Sequence, residues 1–88
     1  MNPTALQRFS EALALAVLQA VPILQPDLHG ETAEEWAVNT TLALLDQVQR
    51  RGIQGIEHYG INTCGGALRL VCTALGLPNI RALEDFLE

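Results

Sequence analysis

The amino-acid sequence predicts an all-α fold, a small bundle of four to five helices in a single domain over residues 1–88. Apolar residues recur at three- and four-residue spacing through most of the chain, and no run alternates as a half-buried strand does. Leucine and alanine dominate a hydrophobic content of 49%, and both are good helix formers. Start and stop signals then cut the sequence into segments of ordinary helix length.

The first helix begins at NPTALQ, where Thr4 is the expected N-cap and Gln7, three residues on, completes a capping box. Leu6, Phe9, Leu13, Val17 and Ala20 follow as one stripe, and Leu15 and Leu18 carry it round the cylinder. A helix apolar on most sides is covered on most sides, so this one is expected to be central or to lie at a dimer interface. Ala12, Ala14, Ala16 and Ala20 would allow a second copy to approach closely, which predicts a homodimer. Pro22 and Pro26 are expected to break the helix, leaving PILQPDLHG as an ordered connector with Ile23, Leu24 and Leu28 against the core.

The second helix carries the clearest local signal. In TAEE, Thr32 is the expected N-cap with Glu35 as its partner, and Glu31, Glu34 and Glu35 suit the positive end of the helix dipole. Arg50 and Arg51 suit the negative end, and Gly52 stops the helix. Its predicted apolar stripe is Ala37, Val38, Thr41, Leu42, Leu44, Leu45 and Val48, with Trp36 on the opposite side beside Thr40, Ala43 and Gln47. IQGIEHY reads as a short helix or turn. Asn62 or Thr63 is expected to cap a third long helix ending at Gly76, with Pro78 just beyond, and Asn79 a final short one with Ile80, Leu83 and Leu87 on one face.

Composition excludes several function classes. The net charge is −5, lysine is absent, and the five arginines are scattered, so direct binding to nucleic acid is not expected. ALALAVLQAV is too short for a bilayer span, which needs about 20 residues, and lacks the basic flank of a secretory signal. No membrane association is predicted. Cys64 and Cys72 stand eight residues apart on one expected helix, about 12 Å of rise, too far for a disulfide. There is no Cys-x-x-Cys and no histidine pair at ligand spacing, so neither a metal nor another cofactor is predicted, and the cysteine usage fits a reducing cytoplasm.

The stretch HYGINTCGGALRLVCTALG offers one chemical reading. A cysteine in the first turn of a helix has its thiolate favoured by unpaired amides, and His58 could serve as base to Cys64. The same amides, with Asn62, Thr63, Gly65 and Gly66 around them, could hold an anion such as a phosphate. No third group orients the histidine, however, and Cys64, Ala67, Leu68, Val71, Cys72 and Leu75 fall on one apolar face. Two buried cysteines outweigh a nucleophile there, and no catalytic residue is assigned.

Trp36 and the acids Glu84, Asp85 and Glu88 are the expected partner contacts. Tryptophan is enriched in binding hot spots, and Trp36 is expected on a polar face, where it either anchors a partner or folds over the PILQPDLHG connector. The three acids crowd the negative end of their helix, where the dipole disfavours them. The leading expectation is therefore a non-enzymatic, acidic interaction protein of the cytoplasm, a regulator or inhibitor of a larger protein with a basic surface. By analogy of size and charge, such proteins include those carried by phages and other mobile elements against host defence systems. The alternative is a small-ligand module holding an anion or nucleotide at residues 61–66, and a cysteine-dependent enzyme ranks last.

Overall fold

The computed structural model describes residues 2–57 and 66–88. These residues are almost wholly helical, with no strand among them: α1 (Pro3–Leu24), α2 (Gly30–Arg51), the single turn α3 (Gln54–Glu57), α4 (Ala67–Leu75) and α5 (Ile80–Leu87). The all-helical expectation holds.

Helix α1 starts earlier than predicted. Asn2, not Thr4, is its N-cap; the Asn2 side-chain oxygen accepts from the backbone N–H groups of Thr4 at 2.9 Å and Ala5 at 3.5 Å. The reason lies in the residue between them. Pro3 suits the first helical position, where an N–H would have no intrahelical partner anyway, and its fixed φ is already helical. Gln7 therefore closes no capping box; its amide donates to the Glu11 carboxylate one turn on, at 3.5 Å. Pro22 does not end the helix either. It lies in the final turn, and the chain stays helical to Leu24, where the Gln25 N–H bonds to the Val21 carbonyl at 2.7 Å.

The buried row of α1 is Ala5, Phe9, Ala12, Leu13, Ala16, Val17, Ala20 and Val21, the three- and four-residue spacing of one continuous face. Helix α1 is the shared wall of the fold, packing against α2, α4 and α5. The alanines Ala12, Ala16 and Ala20 are consumed in this packing, each nearly inaccessible to solvent. They therefore permit close approach within one chain, and only Ala14 of the set faces outward. The close-contact argument for a homodimer through these residues does not carry over to the structure.

After a short connector, α2 begins at Gly30, two residues ahead of Thr32. His29 occupies the N-cap position with extended backbone and makes no side-chain capping bond. Thr32 and Glu35 are exposed within the helix, so the predicted capping box is not the start, although Glu31 still sits in the first turn. In the connector, Leu24 and Leu28 pack against the core as expected, while Ile23 is exposed. The far end matches the sequence reading: Arg50 and Arg51 occupy the last turn, and the Gly52 N–H closes on the Val48 carbonyl at 2.8 Å.

Helix α4 starts at Ala67 and runs to Leu75, shorter than expected, with Gly66 as its N-cap rather than in its first turn. It ends at Gly76, whose φ of 71° and ψ of 26° place it in the left-handed region that a side chain would disfavour. There the N–H of Leu77 reaches the Cys72 carbonyl at 2.8 Å and that of Gly76 the Thr73 carbonyl at 3.2 Å, which satisfies the end of the helix. Asn79 then caps α5 as predicted, accepting from the Ala82 N–H at 2.8 Å.

One cluster of buried residues joins these elements. Phe9, Leu13 and Val17 of α1 share it with Leu44 and Val48 of α2, Ile56 of α3, Leu68 and Val71 of α4, and Leu83 of α5, all essentially inaccessible. Thr41 is the one buried polar residue among those described, and its hydroxyl donates to the Ala37 carbonyl at 2.7 Å. Among the described residues no buried side-chain nitrogen or oxygen lacks a partner. Such a core meets the usual requirement that buried polar groups be hydrogen-bonded.

Candidate interaction surface

Helices α1 and α2 pair over a larger apolar area than their shared interior uses. On α2, Ala37, Thr41, Leu44 and Val48 turn inward, whereas Val38 and Leu42, predicted to share that stripe, are 58% and 60% exposed. On α1, Leu15 and Leu18 are 59% and 44% exposed. These four side chains meet on one face. With Ala14, Ala37, Thr41 and Glu34 they line an open groove of about 420 Å³ between the two helices. Together they form a contiguous exposed apolar patch, a feature that on monomeric proteins often marks a contact site.

The groove has a simple origin in the sequence. Helix α2 carries two adjacent apolar rows, Ala37–Thr41–Leu44–Val48 and Val38–Leu42–Leu45, and only the first is wholly turned to the core. Helix α1 has the same surplus beside its buried row. The two surpluses lie on the same side of the pair and form a continuous strip. Width of stripe was the available signal; which flank would stay uncovered depends on where α4 packs.

Trp36 is placed differently from its sequence prediction. It is half-buried and packs against the core cluster, on the flank of the inward row opposite to Val38 and Leu42. A helical wheel centred too far towards Val38 puts Trp36 opposite the core; centred on Ala37, Thr41 and Leu44, it puts Trp36 at the edge. The acids Glu84, Asp85 and Glu88 are exposed. Glu84 and Glu88 line a groove that also includes Arg51 and Gly52 at the end of α2, which brings acidic residues beside the last turn of a basic helix end.

No arginine lines the α1–α2 groove, although Arg8 shares an open pocket with Glu11 and Leu15 at its edge. The Arg8 guanidinium lies over the Phe86 ring, 5.5 Å from its centroid. Arg50 pairs with Asp46 one turn earlier at 3.2 Å, both side chains well exposed. Arg51 faces the groove with Glu84, and Arg69 and Arg81 line an open pocket between α4 and α5 with Cys72, Thr73 and Asn79.

The predicted chemistry around the second glycine pair is only partly within the described residues. His58, Asn62, Thr63, Cys64 and Gly65 lie outside them. Gly66 is the α4 N-cap, with φ 59° and ψ 40°. Cys72 is buried as predicted, its thiol 3.5 Å from the Asn79 carbonyl to which it donates, and burial pushes its pKa above the ordinary value, against a smaller lowering by a backbone hydrogen bond. Such a thiol is protonated and shielded at neutral pH, the opposite of an activated nucleophile. Among the described residues no group of histidines, cysteines or carboxylates could hold a metal ion, and no helix is long and apolar enough to cross a membrane. Compared with known proteins, the chain matches no family model, no curated protein and no solved structure.

Proposed function

We propose that this protein is a non-catalytic interaction module, acting as a regulator or inhibitor by occupying a surface of a larger protein. The observation that carries this reading is the strip of Leu15, Leu18, Val38 and Leu42, which gathers four of the six large apolar side chains exposed among the described residues on one face. Exposing such a strip costs solubility and gives the fold nothing in return, so a contact is its natural use. The net charge of −5 favours a partner of opposite sign. Glu84, Asp85 and Glu88 add to the attraction over distance, which acts mainly on the rate of association. Trp36 adds its exposed edge while its body packs on the core.

The test is a comparison of two proteins in the cell of origin. A photo-crosslinking residue is placed at Ala14, beside the strip, in the wild-type background and in a Val38→Glu, Leu42→Glu background. The expected outcome is a discrete crosslinked protein with wild type that disappears with the double variant, at unchanged melting temperature. Identical crosslinks from both backgrounds would reject the strip as the contact surface.

A further inference from the structure

The groove's own chemistry specifies its occupant more narrowly, and this step rests on the proposed interaction role. We propose that the α1–α2 groove receives an amphipathic helix of the partner, carrying apolar residues at i, i+4 and i+7 with lysine or arginine on its flanks.

Shape gives the first part. The groove runs between two long helices and is lined along α2 from Glu34 to Leu42, a rise of about 12 Å at ~1.5 Å per residue. Three apolar anchors at i, i+4 and i+7 of a facing helix span about 10.5 Å, so two turns of partner fill that length. The lining is apolar apart from Glu34 and Thr41, and the Thr41 hydroxyl is already engaged by the Ala37 carbonyl. It offers no row of free backbone groups that an extended strand could pair with, since both walls are helical.

Charge gives the second part. Glu34 lines the groove at one end; Glu31 and Glu35 are exposed beside it, in the first turns of α2. At the other end the charges are balanced: Asp46, one turn beyond Leu42, is paired with Arg50, and Glu11, one turn before Leu15, shares an open pocket with Arg8. No arginine lines the groove: the five are at Phe86, at Asp46, at the Glu84 groove and, for two of them, between α4 and α5. The apolar strip is thus bounded at its Glu34 end by acids that no arginine faces. A second copy of this chain would bring a further net charge of −5 and, in one direction of the two-fold axis, Glu34 against Glu34. A basic helix instead meets the opposite sign at the Glu34 end and in the net charge of the chain.

The probes are two designed helical peptides with the same leucines at i, i+4 and i+7, one flanked by lysines and its twin by glutamates. Each is titrated into the isotopically labelled full chain at low salt and followed by amide chemical shifts. The lysine peptide is expected to shift Leu15, Leu18, Val38 and Leu42 and to bind at least tenfold more tightly than its twin. Glu34→Arg should narrow that ratio several-fold, and Val38→Glu should abolish binding of both peptides. Equal affinity for the twins, or shifts confined to other faces, would overturn the assignment. So would a free protein that sediments as a dimer with the strip protected; that outcome makes a second copy the occupant. Loss of the cellular crosslink from the wild-type background, by contrast, strikes the interaction reading itself and leaves the groove's peptide preference measurable.

Discussion

Two side chains show how burial decides what a residue does. Cys72 lies on the inward face of α4 with its thiol donating to the Asn79 carbonyl, and burial raises its pKa. In the unfolded chain the thiol ionises near pH ~8.5, while in the folded protein it holds its proton to higher pH. The folded form then binds more protons than the unfolded one above that point. Stability from this group is therefore complete below the unfolded pKa and is lost as pH rises through the folded value. Urea melts should show this alkaline loss in wild type and a smaller one in Cys72→Ala, and alkylation of the Cys72 peptide at pH 7 should be slow until denaturant is added. For Trp36, truncation to alanine should lower stability by about 1–2 kcal/mol, less than for a wholly buried tryptophan because the side chain is only partly buried. A melting temperature unchanged by Trp36→Ala would mean that the side chain packs on nothing. Cys72 was legible in the sequence because its spacing from Leu68 and Val71 is unambiguous. Trp36 was not, since a shift of one position in the centre of the stripe moves it from the polar side to the core's edge.

Helix identity was written in the periodicity, and helix ends only where the local signal had one solution. Gly76 with Pro78, and Asn79 before Ile80, left a single way to stop one helix and start the next, and the structure follows it. At the start of α1 two caps competed, and the Asn-Pro pair at residues 2 and 3 prevailed over Thr4. At the start of α2 the helix extends back to Gly30 without any side-chain cap, so Thr32 lost its expected place to a turn that local chemistry does not announce. Asn79→Ala should lower global stability by about 1 kcal/mol, because it removes the side-chain acceptor for the Ala82 N–H at the head of α5. The same change in Asn2 should cost less, since α1 is 22 residues long and can fray by one turn while its buried row from Phe9 onward stays packed. Chemical denaturation of the two variants side by side checks the order.

At the scale of the molecule, the sequence showed that α1 was too apolar for a single contact but not which side would be left over. That depends on α4 and α5 covering one flank of α1 and on α2 covering another, and neither is encoded in the helix itself. The surplus that remains is the strip on the α1–α2 face. Replacing Leu15 and Leu42 with lysine should leave the fold intact, with a change in stability within about 0.5 kcal/mol, because both side chains are more than half exposed. The variant should also bind less of a dye that reports exposed apolar surface. Unfolding of this variant would show instead that the two leucines belong to the core.

Every described residue lining that groove lies between positions 14 and 42. On a ribosome, then, the contact face is translated ahead of the helices that cover the other side of α1. The α1–α2 hairpin can present its groove to a partner before α4 and α5 close over the buried row of α1. A partner that seizes the nascent hairpin there would not compete with the later arrival of α4 and α5, since the two events use opposite sides of the same helix. Recognition and folding are thereby separated in space along α1, and the order in which they occur is free to vary.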